Sequence, residues 1–182
     1  MEKTTLRIKV FGDPVLRKKA KRVKEITPSH RDLLSKMAQL MYSQSGVGLA
    51  APQAGFSESM VVVDIGTGLY KLINPKIVKK TGRQSMEEGC LSVPGVSIKV
   101  KRAEKVTLRA QDEDSRPFAI EAEGLLACVF QHELDHLDGR LIIDYASLAD
   151  KLKIKNKLKE LKKRAQSERL PESKTKPAKL QL

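Results

Sequence analysis

Hydrophobic and polar positions follow several distinct periods along this chain. Between Thr27 and Gly46 the apolar residues Leu33, Leu34, Met37, Leu40 and Met41 recur at three- and four-residue steps, after a Thr-Pro start signal and ahead of a glycine. That spacing predicts an amphipathic helix. From Met60 to Glu121 the pattern changes to short β-rich runs, MVVVDI, LYKLINP, VSIKV, KVTLRA and PFAIEA, punctuated by Gly, Pro, Asn and Asp. In KVTLRA the apolar Val106, Leu108 and Ala110 alternate with Lys105, Thr107 and Arg109, which predicts a half-buried antiparallel strand. Next, EGLLACVFQHELDHLDG runs without a breaker from Leu125 to Asp138, with Leu125, Val129, His132 and His136 on one stripe and Gly139 placed to end it. A second helix, apolar enough to be buried, is expected there. Finally, SLADKLKIKNKLKELKKRAQ puts Ile154, Leu158, Leu161 and Ala165 on one narrow face amid lysines. This predicts a third helix from about Asp150 to Gln166, docked by that stripe, and then a polar, disordered end. The fold class expected is α+β: short antiparallel strands packed around a central helix, with an amphipathic N-terminal helix and a basic C-terminal one. Residues 1–148 are expected to form one domain, 149–166 the basic helix and 167–182 a disordered tail.

Composition narrows the function classes. With 182 residues, 40% of them hydrophobic, the chain can bury one well-formed core. An aromatic content of 4% without tryptophan leaves little material for base-stacking platforms. The opening MEKTTLRIKVFGDP carries an acidic residue at once and no long apolar run, so neither a secretory signal nor a membrane span is expected, and the protein is placed in the cytoplasm. In that reducing setting Cys90 and Cys128 are expected as free thiols. The net charge of +13 is concentrated late, since residues 151–182 hold 12 Lys and Arg against 3 Glu.

The chemistry begins at HELDH. On a helix, His132 and His136 project from one face a turn apart and suit a single metal ion, with Glu133 beside them. The bland alternative is two unrelated histidines at this spacing, but the chain has only three histidines and two of them fall in the pattern. The third ligand discriminates between classes. Gly139 matches the glycine of HExxHxxGxxH, yet Ile142 stands where that motif requires histidine. Glu160, Glu168 and Glu172 lie among lysines or in the polar end. Cys128 is on the same stripe but ~12 Å along the helix from His136, whereas ligands of one ion are at most ~4.6 Å apart. It is read as a small buried hydrophobe. Cys90 remains, flanked by Gly89, which permits close backbone approach. A site of one Cys and two His keeps a coordination position open, the mark of a catalytic rather than a structural centre.

GVGLAAPQ at 46–53, EGCLS at 88–92 and QHELDH at 131–136, in this order, resemble the three motifs of the peptide deformylase family. Weaker similarity extends over residues 5–165, including EAEGLLA before the helix and HLDGRLIIDY after it. The G-x-G-x-x-A spacing within GVGLAAPQ is not a dinucleotide fingerprint, because a helix precedes it and Pro52 follows. The resemblance implies a metal-dependent hydrolase that removes the N-formyl group from the N-terminal formyl-methionine of newly synthesised polypeptides and releases formate. It implies metal ligation by Cys90, His132 and His136, and Fe(II) in the cell with Zn(II), Ni(II) or Co(II) as substitutes. Metal-bound water is then the nucleophile, and Glu133 the general base and later the acid toward the leaving amine. The Gln53 side-chain amide and the Leu91 backbone N–H are the implied oxyanion donors. Gly46, Val47 and Gly48, with the Gly89 carbonyl, are implied to pair with substrate as an added strand.

The chain departs from some members in two places: no arginine stands near Ser97 to meet the third substrate residue, and Cys128–Val129 alters the expected methionine pocket. The implied partners are N-formylmethionyl nascent peptides and, through the basic helix, ribosomal RNA; a solvated face is the plain alternative for that helix. No membrane partner and a monomeric state are expected. A zinc peptidase is disfavoured by Ile142 and Cys90, and a catalytically silent ribosome-binding protein by the presence of Glu133 and Gln53.

Overall fold

The computed structural model describes residues 6–168. The first helix, α1, spans Pro28–Ser43 and buries Leu33, Leu34, Met37, Ala38 and Met41. Its N-cap residue, Thr27, donates its backbone N–H to His30 Nδ1 at 3.0 Å, so a histidine fills the role that Glu or Gln takes in a capping box. The helix stops short of the expected glycine. Gln44 caps it, Ser45 adopts a left-handed φ of 54°, and the Gly46 N–H returns to the Met41 carbonyl at 2.9 Å.

Seven strands follow: β1 (Gly48–Ala50), β2 (Met60–Val63), β3 (Tyr70–Thr81), β4 (Gln84–Gly89), β5 (Ser97–Arg102), β6 (Lys105–Gln111) and β7 (Pro117–Glu123). They form a five-stranded sheet in the order β1-β2-β3-β6-β7 and a separate β4-β5 pair, with every pairing antiparallel. The alternation expected in β6 is present, with Val106, Leu108 and Ala110 facing the core. β3 runs past Pro75, where the sequence pattern ended it. The ladder to β6 shifts register between Ile73 and Lys76, and Asn74 has a φ of 53°. The proline thus sits where the ladder is already interrupted and its missing N–H costs no hydrogen bond. The sequence pattern predicts no strand at β1 or β4.

The second helix, α2, spans Gly124–Leu137. It packs on the five-stranded sheet through Ala127, Val129, Phe130 and Leu137, in a cluster with Val61, Val63, Leu72 and Leu108. Leu125, expected to be buried with its stripe, is 49% exposed. A third core region joins Leu16, Val93, Val96, Ile98 and Leu141–Ile143 to Leu161 of α3 (Leu148–Ser167). This last helix begins earlier than predicted because Ser147 caps it, its Oγ accepting the Asp150 N–H at 3.1 Å. Of the predicted stripe, Leu161 and Ala165 are buried, while Ile154 and Leu158 are partly so. Gly12, at a φ of +107°, lets α3 approach closely: a Cβ there would lie 2.8 Å from Lys162 Cα. The tail expected over 167–182 lies, from residue 169 on, outside the described residues. Among those described, no helix is long and apolar enough to cross a membrane.

Candidate active site

Cys90 directly follows β4, in a turn that the Val93 N–H closes on the Cys90 carbonyl at 2.9 Å. This turn carries the thiol to α2. Cys90 Sγ lies 3.3 Å from His136 Nε2, which lies 3.2 Å from His132 Nε2. All three donor atoms fall within 4.8 Å of one another. Bonds of ~2.0–2.1 Å to nitrogen and ~2.3 Å to sulfur give tetrahedral edges of about 3.3–3.6 Å, so the donor set fits one tetrahedral cation. Burial, and then the neighbouring His132, push the His136 imidazole well below its ordinary pKa, whereas at His132 burial is outweighed by Cys90 and Glu88, which raise the pKa. A metal held there would therefore release a proton from His132.

Behind this set runs a buried chain of charges. His132 Nδ1 is 2.8 Å from Glu88 Oε2. Glu88 in turn receives two hydrogen bonds from Arg102, Nε to Oε1 at 2.8 Å and Nη2 to Oε2 at 2.9 Å. Arg102 Nη1 continues to Asp135 Oδ2 at 2.6 Å, and Asp135 also accepts the Tyr145 hydroxyl at 2.8 Å. Burial alone would raise the Glu88 pKa, but the hydrogen bonds and charges of Arg102 and His132 outweigh it and hold the carboxyl at about 2. Cys128 donates its thiol to Glu88 Oε1 at 3.2 Å. Burial and the Glu88 charge push that thiol up to about 12, so it stays protonated. It is a donor to the carboxylate, and Cys90 supplies the thiol of the metal-type cluster.

Glu133 lies on α2 between the two histidines in sequence. Burial pushes its pKa up to about 7, against the opposing pull of His132 and Arg102, and its Oε2 has no hydrogen-bond partner among the described residues. Space for its carboxylate depends on β1, because a Cβ on Gly48 would overlap the Glu133 side chain. Gln53 sits in a 3₁₀ turn directly after β1. Its Oε1 accepts the Ala50 N–H at 2.8 Å, which aims its Nε2 at Cys90 Sγ, 3.6 Å away.

These groups open on a cleft of about 580 Å³. Gly46, Val47 and Gly48 line one side, Glu87–Leu91 another, and Leu125 and Val129 of α2 contribute apolar surface. β1 is the outer strand of its sheet and β4 pairs only with β5 among the described residues, so both bounding strands offer an open edge. The structure therefore gathers Gln53, Cys90, Leu91, His132 and Glu133, together with Gly46–Gly48 and Gly89, around one cavity, with His136 behind Cys90 and His132. Sequence reasoning did not single out Glu88, Arg102 or Asp135. Glu88 and Asp135 carry a signal of position, since they stand within EGCLS and QHELDH, while Arg102 lies outside every motif.

Comparison with known proteins places this chain in a family. Curated peptide deformylases from Carboxydothermus hydrogenoformans and Halothermothrix orenii are 52% identical over 136 residues and 53% identical over 141, covering 75% and 76% of this chain and 90% and 92% of theirs. The crystal structure of a peptide deformylase from Legionella pneumophila is similar with a TM-score of 0.83 at 43% identity, covering 92% of this chain and all of that one. One from Synechococcus elongatus, in complex with actinonin, is similar with a TM-score of 0.78 at 40% identity, covering 91% of this chain and 88% of that one. Since the sequence model for polypeptide deformylase also matches residues 5–152, the chain belongs to the polypeptide deformylase family.

Proposed function

We propose that Cys90, His132 and His136 hold one divalent cation beside Glu133, and that this centre removes the formyl group from N-formylmethionyl nascent peptides. The family supplies the overall reaction. The observation carrying the assignment of residues is the convergence of one thiol and two imidazole Nε2 atoms within 4.8 Å, next to a cleft bounded by two open strand edges. The bound ion supplies Lewis acidity, which acidifies water and polarises the formyl carbonyl. The donor set of one thiol and two imidazoles accepts Fe(II), the resident metal we infer, and equally Zn(II), Ni(II) or Co(II).

Glu133 takes the proton of the attacking water, and its raised pKa suits a group that must accept a proton and then return it to the leaving amine near neutral pH. Gln53 Nε2 and the Leu91 backbone N–H donate to the oxyanion as it forms. Losing one such donor costs about 2.7–4 kcal/mol of barrier. The substrate backbone adds as a strand between Gly46–Gly48 and Gly89, a mode that tolerates varied side chains. Gly46 gives its N–H to Met41, and Val47 gives its carbonyl to Asp64 N–H, so pairing falls to the remaining groups of these residues. The methionine side chain lies on Leu125, Val129 and Cys128. Actinonin, bound in the Synechococcus relative, would enter the same cleft.

Residues 1–148 form the catalytic unit in this proposal, and α3 is a basic appendage that contacts ribosomal RNA, with the enzyme acting as a cytoplasmic monomer. The deciding experiment follows formate release from a formyl-Met peptide by anaerobically purified, Fe(II)-loaded protein and by Glu133→Ala. The variant should lose turnover and keep its metal. Retained turnover, or turnover in a Cys90→Ala protein that binds no metal, would overturn the assignment.

A further inference from the structure

A second cavity, about 800 Å³ against about 580 Å³ for the cleft, opens on another side of α2. It is bounded by α2, β3, β5 and the segment before α1, and shares no lining residue with the cleft. Six exposed cations, Lys19, Arg22, Lys76, Lys80, Lys101 and Arg140, surround it. Only two acidic residues line it, and both are engaged. Asp138 lies 3.7 Å from Lys19, while Asp135 holds Arg102 at 2.6 Å and faces Arg140 at 3.9 Å. Among the described residues, Arg22, Lys76, Lys80 and Lys101 enter no ion pair within 4.0 Å.

The polar groups at the base of this cavity are already satisfied. Arg102 is bound to Glu88 and Asp135. Gln131 bonds both the N–H and the carbonyl of Ala103, and Asn74 bonds Val23 and Gln111. A small phosphorylated ligand needs convergent buried donors, and none are left for it here. What remains is an exposed ring of positive charge, which suits a chain of phosphates held by electrostatics without base readout. An anionic membrane fits less well, because the surface is concave. Its one exposed large hydrophobic residue, Tyr145, has its ring 5.0 Å from the Arg102 guanidinium.

We infer that this basic cavity docks the phosphate backbone of RNA, independently of sequence, and leaves the cleft open to a peptide. The inference does not depend on the reaction assigned to the cleft. The test measures binding of a fluorescein-labelled RNA hairpin by anisotropy across a salt series. It compares the full chain with a variant combining Arg22→Gln, Lys76→Gln, Lys80→Gln and Lys101→Gln. An equal-charge control combines Lys155→Gln, Lys159→Gln, Lys162→Gln and Lys163→Gln on α3.

The cavity variant should bind at least about tenfold more weakly at low salt and show a salt slope lower by about three, with hydrolysis of a short formyl peptide unchanged. The α3 control should lose less. Equal losses in the two variants, or binding by the cavity variant that matches the parent, would overturn the inference. So would loss of binding to phosphatidylglycerol vesicles with RNA binding intact. Cross-linking of the unaltered protein to 4-thiouridine RNA gives a readout free of mutation. Adducts on peptides containing Lys76, Lys80 or Lys101 support the inference, and adducts confined to α3 contradict it.

Discussion

Glu88 Oε2 stands 2.8 Å from His132 Nδ1, and this contact joins the donor cluster to the buried ion pairs beneath it. Glu88 arrives on β4, His132 and Asp135 on α2, and Arg102 on β5. The carboxylate therefore fixes the His132 ring and the relative position of three elements at once. Second partners of this kind orient a ligating imidazole and raise its basicity.

Glu88→Ala should weaken metal binding about 10–100-fold, read by competition with a chelator. It leaves Arg102, 7% exposed, with Asp135 as its remaining partner. Breaking a buried pair from one side costs about 3–5 kcal/mol, so urea unfolding should show a loss of that order. Glu88→Gln keeps the shape and part of the hydrogen bonding and should fall between Glu88→Ala and the parent in both measurements. Parent-like metal affinity in Glu88→Ala would show that His132 is oriented without it.

Gly48→Ala is expected to act on turnover rather than on metal content. The added methyl would overlap the Glu133 carboxylate, and a displacement of about 1 Å at a reacting group can cost 10²-fold. Steady-state kinetics should show kcat falling by one to two orders of magnitude, on the scale of that estimate, with metal stoichiometry unchanged. A rise in KM with kcat unchanged would mean that Gly48 serves the substrate backbone alone and does not make room for the base.

Arg17 and Asp144 supply a pH prediction away from the donor cluster. Nη1 to Oδ2 is 2.6 Å and Nη2 to Oδ1 is 3.0 Å, and Asp144 Oδ2 also accepts the Leu141 N–H at 2.9 Å. Burial works against the Asp144 charge, but these partners prevail and its pKa is lowered from 3.8. A lowered carboxyl contributes stability that is present above the unfolded pKa and lost as pH falls through the folded one. Asp144→Asn should thus be less stable than the parent at pH 7, by about 1 kcal/mol for so exposed a pair. The gap should narrow below about pH 4. A gap that stays constant with pH would mean that packing, and not charge, is what Asp144 contributes.

The parts of this molecule legible in the sequence are those written in a local period. α2 has an unbroken apolar run with two histidines a turn apart, and β6 alternates cleanly. β4 reads QSMEEG, with no apolar alternation, because among the described residues it pairs with one strand only and borders the cleft. β1 has three residues, too few to show any period. Yet β4 delivers Cys90 and β1 provides Gly48, so the elements hardest to see are those that bound the site. Cys90 is legible because the sequence offers no other suitable third ligand. Arg102 has no such route, since its role exists only where the β4–β5 pairing sets it beside Glu88 and α2 brings Asp135 to it.

α3 tests where the catalytic unit ends. Gly12 combines a φ of +107° with a Cβ position 2.8 Å from Lys162 Cα, so Gly12→Ala is strained in its backbone and also presses on the main chain of α3. Leu161→Ala removes a side chain that is 2% exposed and should cost about 2–5 kcal/mol. Both changes should loosen the same helix at its one buried face, detectable as earlier cleavage within α3 under limited proteolysis. If residues 1–148 are the catalytic unit, deformylation of a short formyl peptide persists in both variants while α3 becomes cleavable. Activity that declines in step with the release of α3 would instead mean that the core shared by Leu161, Ile142 and Ile143, which follows α2 directly, is needed to hold His136 in place.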